Sequence, residues 1–390
     1  MGTTFDDWRG RSPFYDDSHE AISQSVRRFI AQEATPHITA WEAAGEVPRD
    51  FHRKAGAAGL LGLGFPEEYG GSRDGITVFH HFAQTEEIAA PGAGGLYSSL
   101  MTHMVALPPI LALGSEAMKQ RIAPAVIAGE KILALAVTEP SGGSDVARLK
   151  TRAERRGDHF VVNGSKMFIS CGMRADYYTV AVRTGGPGMG GLSLLLIERD
   201  RPGFSRTVLD KMGWHCADTA ALYFDNVEVP VENLIGPQDE GFVRILENFN
   251  SERLVAAQQC MAFARVCLEE AVAWAQQRET FGKKLGQHPV IRSKLADMAR
   301  LIDCTQSMTD LCAWRFLKGC AKPADFALLK VQATQAFERV AREAAQVLGG
   351  ASYIKGNKVE RIYREVRVMA IGGGSEEILL DLAGRQLGYG

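Results

Sequence analysis

The spacing of apolar residues changes its period twice along the chain, and that double switch constrains the fold more than any other feature. Up to about residue 130 the pattern is helical. Asp17 and Glu20 are spaced like an N-cap and its N3 partner, and Ile22, Val26, Phe29 and Ile30 then form one apolar face. Gly and Pro break the pattern at FPEEYGG (65–71), and it resumes in TVFHHFAQTEEIA and GSEAMKQRIAPAVIAG. From about 131 to 240 the period is two. Asn163-Gly164 stands between β-rich runs, which predicts a hairpin turn there, and YYTVAVRT (177–184), LSLLLIERD (192–200) and TAALYFDNVEVP (219–230) read as further strands. From 241 onward the pattern is helical again, interrupted near 278–289 and 349–358, with one long helix ended by Gly349-Gly350. The order predicts an α+β protein: an N-terminal helical domain (1–130), a middle antiparallel β-barrel or sandwich (131–240) and a C-terminal helix bundle (241–390).

Composition narrows the function classes. There are 44 basic and 46 acidic residues, a formal net charge of −2, which excludes a binder that relies on a large basic field, such as a general nucleic-acid protein. Hydrophobic residues make up 46% and charged residues 23%, so the chain is not disordered as its main state. Seven cysteines, odd in number and without a CxxC pair, fit neither a disulfide framework nor a zinc site and suit a reducing compartment. The opening segment carries acidic residues and no apolar stretch, and LSLLLI (192–197) is too short to span a bilayer. The expectation is a cytoplasmic protein with no membrane span.

Several motifs carry no chemistry. Gly186, Gly188 and Gly191 match GxGxxG, but the following segment reads as a strand, whereas phosphate binding there needs a helix N-terminus; a hairpin loop is the better reading. The nine histidines show no metal spacing, and adjacent His80 and His81 cannot share a helix face, so no metal site is expected. AVTEPSGGSDVAR (136–148) reads two ways. Its hydroxyls and glycines suit the edge of a phosphate or flavin, and they equally suit a polar connector.

TEPSGGSD, KMFIS (166–170), RETFGKKLG (278–286), QVLGG (346–350) and IGGGSEEI (371–378) together resemble the acyl-CoA dehydrogenase family, in order and over essentially the whole chain. The resemblance implies helical N-terminal domain, middle β-barrel and C-terminal four-helix bundle, usually as a homotetramer binding one FAD per subunit. It implies acyl-CoA oxidation in lipid metabolism, with electrons passed to an electron-transferring flavoprotein. It places the flavin against Leu135, Val137, Thr138, Gly143, Ser144, Phe168, Ile169 and Ser170. Arg278, Thr280, Phe281, His288, Gln346, Gly349 and Gly350 match positions that hold the adenine end from a neighbouring subunit, and Ser375 and Glu377 match another FAD contact. Ser144, Asn250, Arg253 and Gly374 match substrate contacts. Arg148 stands where the family has a small residue, Ser352 and Gly356 replace a usual Gly and acidic residue, and Pro289 replaces a usual Gln.

The largest departure is Gly373, where many members carry the catalytic glutamate. Isovaleryl- and long-chain-type members carry their base at the position matching Glu252. Read alone, Glu252 is either a surface group in an ion pair or a desolvated base; its helical neighbours Asn248, Phe249, Val255 and Ala256 are not basic. The resemblance implies that the backbone N–H of Gly373 meets the thioester carbonyl, and a glycine there leaves room for Glu252. A flavin oxidase or monooxygenase of the same superfamily, or a non-catalytic helical partner subunit, are the competing expectations.

Overall fold

The computed structural model describes residues 4–389, with the side chains of 242–248 outside that description; Asn248 is among the latter. Helices occupy the chain up to Ile127, strands run from Leu133 to Ile235, and helices return from Gly241. The chain forms two compact units. One takes in residues up to Thr39, Ile76–Tyr97 and everything from Asn250; the other takes Ala40–Gly75 and Ser98–Phe249.

The first unit is helical. Its second helix, Asp17–Glu33, begins one residue earlier than the pattern suggests: Asp16 is the N-cap, accepting from Ser18 N–H, while His19 reaches back to Asp16 N–H. Asp17 sits inside the first turn, where a carboxylate favours the helix dipole without capping it. Four helices close around a buried polar ring. Trp8, on the short Phe5–Arg9 helix, donates to Asp310 at 3.0 Å. Gln306 donates to Asp310 (2.9 Å) and Gln258 (2.8 Å), and Gln258 donates to Glu86 (2.9 Å). Glu86 pairs with Arg9, which returns the ring to its starting helix. A closed ring of this kind fixes which helix faces which, since breaking one member strands a buried partner.

The second unit is built on one eight-stranded sheet. Its strands are β1 Leu133–Ala136, β2 Arg152–Arg156, β3 His159–Ser170, β4 Tyr177–Arg183, β5 Leu192–Glu198, β6 Phe204–Val208, β7 Thr219–Pro230 and β8 Leu234–Ile235. They run β6-β7-β3-β2-β4-β5-β8, and β1 lies beside β4. Unlike the all-antiparallel expectation, β1 pairs β4 in parallel, because the chain makes the β2–β3 hairpin before returning as β4. The central strands are apolar on both faces. Leu194 and Leu196 pack with Ile110, Met118 and Ile122, whereas Leu195 and Ile197 join Tyr178, Phe160 and Leu222. Burial on both sides is why LSLLLI reads as an apolar run broken only by Ser193. Met104 packs against the first of these clusters and Met101 is buried.

The expected hairpin at Asn163-Gly164 is not there: both residues lie inside β3. The chain reverses instead at Gly157-Asp158, with Arg156 paired to His159 and Gly157 at φ +64°. Asn163-Gly164 marks a bulge against β7, and Asn163 bonds Asn226 across it. Gly164 is required for space, since a Cβ there would come within 2.7 Å of Thr151 Cα. The Gly186–Gly191 segment is a hairpin loop between β4 and β5, held by Arg183 on the carbonyls of Gly186 (2.5 Å) and Gly188 (3.1 Å).

These two glycines should respond differently to the same change. Gly157→Ala, with nothing near the new Cβ, should cost about 1 kcal/mol for its left-handed backbone. Gly164→Ala should cost roughly 2–3 kcal/mol, because backbone must move. Urea unfolding of both variants measures the difference.

Candidate active site

Within the sheet unit, the flavin-matching residues are carried by two neighbouring segments. β1 ends at Ala136 and continues into Val137 and Thr138; the second segment is the end of β3, Phe168 to Ser170. Met167 N–H donates to the Thr138 carbonyl at 2.8 Å, which fastens the two together. Beneath them Lys166, with no exposed side-chain surface, donates to the Val137 carbonyl and the Glu139 carboxylate, both at 3.0 Å. Glu139 also accepts the N–H groups of Lys150 and Thr151, each at 2.8 Å. Burial opposes ionisation of Glu139, but Lys166 and these N–H groups hold its carboxyl below the usual range. Burial pulls Lys166 down to about 8, with Glu139 pushing back.

This platform presents strained and open features outward. Phe168 has φ +63° and is 68% exposed, an uncommon combination for a bulky residue. Leu135, Val137, Thr138 and Ser170 are half-buried, Ile169 is buried, and Gly143 and Ser144 are exposed in the loop after β1. A Cβ at Gly143 would lie 3.2 Å from the Thr138 methyl Cγ2, so the glycine leaves room for that side chain. The donor set and the exposed aromatic fit the polar edge and flat face of a flavin.

The long helix Gly241–Gln277 carries Asn250, Glu252 and Arg253 in the part, from Asn250 on, that belongs to the helical unit. Glu252 keeps part of its surface open, yet burial pushes its carboxyl up to about 8, with Arg253 drawing it back. Arg253 is the basic neighbour that a reading by helical spacing passes over. Its guanidinium turns to Asn250 Oδ1 (3.1 Å) and to the Gly373 carbonyl (3.5 Å), joining the glutamate's helix to the Gly373 loop. Lys330, almost wholly buried, donates to the Gly374 carbonyl at 2.8 Å and fixes the same loop from below. Gly373 has φ +70° with no atom within 4 Å of a Cβ position, so the obstacle to a side chain there is backbone strain. Ser375 caps the final helix Glu376–Gln386, in whose first turn Glu377 lies, and Glu376 is held by Thr334 at 2.5 Å.

A third set stands apart. Arg278, Thr280, Phe281 and His288 occupy the β-hairpin and turn that follow the long helix, with Thr280 Oγ1 3.1 Å from His288 Nε2. Phe281 is 97% exposed at φ +50°. The helix from Glu252 to its end at Gln277 is about 38 Å long at 1.5 Å per residue. Gln346 is exposed near the end of helix Pro323–Leu348, and Gly349 (φ +59°) stops that helix, with Gly350 following. Pro289 takes the first position of helix Pro289–Leu317, where its missing N–H costs nothing.

Glu139, Lys166, Arg183 and Lys330 brace the segments that carry these residues, and the sequence reading does not single them out. Glu139 and Lys166 lie inside or beside the quoted motifs, but nothing in the spacing pairs them. Among the described residues, no group of three or more His, Cys, Asp or Glu is placed to hold a metal. No single described helix is long and apolar enough to cross a membrane.

Family models for the acyl-CoA dehydrogenase N-terminal, middle and C-terminal domains match residues 16–130, 134–227 and 239–388. The chain belongs to the acyl-CoA dehydrogenase family. It is 37% identical to acyl-CoA dehydrogenase AFT10-1 of Alternaria alternata, over 95% of this chain and 91% of that one. It is 34% identical to the mitochondrial isovaleryl-CoA dehydrogenase of Oryza sativa, over 96% and 92%. The crystal structure of a probable acyl CoA dehydrogenase from Mycobacterium abscessus superposes with a TM-score of 0.94 at 45% identity, over 96% and 100% of the two chains. A glutaryl-CoA dehydrogenase from Mycobacterium smegmatis, in complex with FADH2, superposes at 0.90 with 25% identity, over 97% and 96%. The protein is thus an oxidoreductase of a family that uses FAD.

Two measurements follow from this geometry. Lys166→Met leaves Glu139 buried without its cation and should cost about 3–5 kcal/mol, with a loss of bound flavin seen in the visible spectrum. Glu252 holds its proton up to about pH 8 when folded but only to the ordinary carboxylate range when unfolded, so its contribution to stability falls as pH rises between the two. Glu252→Gln removes that dependence. The Tm advantage of the variant over wild type should therefore grow from pH 5 to about pH 8 in a thermal series.

Proposed function

We propose that this protein oxidises an acyl-CoA thioester to the trans-2-enoyl-CoA, with Glu252 as the base, and passes the electrons to an electron-transferring flavoprotein. The observation that carries this is the pairing of a carboxyl raised to about 8 with a glycine at 373, joined through Arg253. A base for a weakly acidic α-proton needs a pKa near working pH, and burial supplies it at Glu252.

Thr138 and Ser170 would offer hydroxyls to the flavin ring, with Phe168 beside it, and Ser144 would meet the thioester arm. FAD, when bound, supplies the acceptor for the β-hydride. The Gly373 N–H polarises the thioester carbonyl as negative charge develops on it. Arg253 and Lys330 hold the Gly373 and Gly374 carbonyls, which fixes the two peptide groups that follow that N–H. Glu252 then removes the α-proton from the opposing helix, through the space that a side chain at 373 would enter.

The distance along the long helix supports a shared cofactor. Arg278, Thr280, Phe281, Gln346, Gly349 and Gly350 serve the adenine end of a neighbour's FAD in a homotetramer. The three domains are taken as 1–130, 131–240 and 241–390, and the reducing compartment suited by seven free cysteines as the cytoplasm.

Glu252→Gln should keep FAD while anaerobic bleaching by the best acyl-CoA of a straight, branched and cyclic panel slows by about 10²–10⁴-fold. In Glu252→Gly, adding Gly373→Glu should restore part of the lost rate. Bleaching of Glu252→Gln at the wild-type rate would remove Glu252 as the base.

A further inference from the structure

The segment from Arg148 to Arg156 holds five basic residues and one acidic residue, all exposed, in a chain whose net charge is −2. It begins four residues after Ser144. The charges are not equivalent. Glu154 lies 3.9 Å from both Arg152 and Arg156, and Arg155 turns to the Gly157 carbonyl at 3.3 Å. Arg148 and Lys150 have no ion-pair partner among the described residues.

The backbone beneath these two is unusually well fixed for an exposed loop. Arg183 grips the carbonyls on either side of Arg148, donating to Ala147 at 2.6 Å and Leu149 at 2.8 Å. Glu139 takes the Lys150 and Thr151 N–H groups, and Lys166 holds Glu139. The half-buried Arg183 and the buried Glu139–Lys166 pair thus mount two unpaired cations facing outward. Such a mounting lowers the entropy lost when an anion is gripped. The row extends from Ser144 by at most about 14 Å to Arg148 and about 21 Å to Lys150, at full chain extension.

The geometry points to Arg148 and Lys150 as the residues that read the phosphates of coenzyme A, the 3′-phosphate in particular. The inference rests on the proposed thioester reading, which sets Ser144 against the pantetheine arm. The diphosphate and 3′-phosphate lie a full arm's length beyond the sulfur, so cations further along the same loop meet that end. Guanidinium suits phosphate through paired N–H donors, and Lys150 adds a point charge. Arg148 replaces the small residue usual at this position, so the reading sets this chain apart within its family.

The test is calorimetric titration of the flavin-loaded protein with CoA, 3′-dephospho-CoA and pantetheine, at low and raised ionic strength. Wild type should bind CoA about 5–10-fold tighter than 3′-dephospho-CoA at low salt, with the margin shrinking as salt is added. Arg148→Ala and Lys150→Gln, both exposed changes, should bring that ratio towards one while pantetheine binds as before. An unchanged ratio in Arg148→Ala overturns the inference, as does a wild type that binds CoA and pantetheine equally. Tighter binding of an acidic carrier protein bearing the same pantetheine arm, lost in Arg148→Ala, overturns CoA as the ligand read. Titration needs no turnover. A protein that reads the 3′-phosphate yet is never bleached by acyl-CoA refutes the dehydrogenase mechanism alone; one that bleaches normally but ignores the phosphate refutes only the role of Arg148 and Lys150.

Discussion

Two buried charges, Lys166 and Glu139, hold the working face of the sheet unit together. An ion pair in such a place is a poor source of net stability, because desolvation offsets much of the attraction. Its value is that each partner has further obligations. Lys166 must also satisfy Val137, and Glu139 must also satisfy Lys150 and Thr151. These contacts tie both ends of the loop from Val137 to Thr151 to one lysine–glutamate pair. Thr138, Ser144 and Arg148 all inherit their positions from that constraint. The strained backbone at Phe168 lies two residues from Lys166.

The sequence reveals what is periodic and hides what is paired at a distance. Helix, strand and helix regions follow from apolar spacing, and TAALYFDNVEVP coincides with β7 because turn residues bound it on both sides. Asn163-Gly164 misleads because the same dipeptide serves a turn and a bulge, and only the approach of Thr151 tells them apart. Asp17 misleads by one residue because Asp16 is equally able to cap and has His19 as its reciprocal partner. At the site, Glu252 and Gly373 stand out as a missing carboxylate and a candidate replacement, but only against the family pattern. Lys330, which aims the Gly374 carbonyl, is invisible: it lies 44 residues from its partner, in the middle of an ordinary helix. Arg253 stands out as a match to a substrate contact, but its tie to the Gly373 loop is hidden, since that partner lies 120 residues on.

The long helix has a consequence beyond the packing it provides. It is a ruler, with the proposed base at one mark and the hairpin of Arg278 and Phe281 at another. One residue inserted between them would lengthen the rod by about 1.5 Å and turn its far end by roughly 100°. The hairpin would then face another direction, although every local contact near Glu252 survived. Point substitutions along this stretch can therefore be judged one at a time, by what each side chain touches. Changes in its length cannot, and lineages of this protein should tolerate many replacements between Glu252 and Gln277 while keeping the number of residues between them fixed.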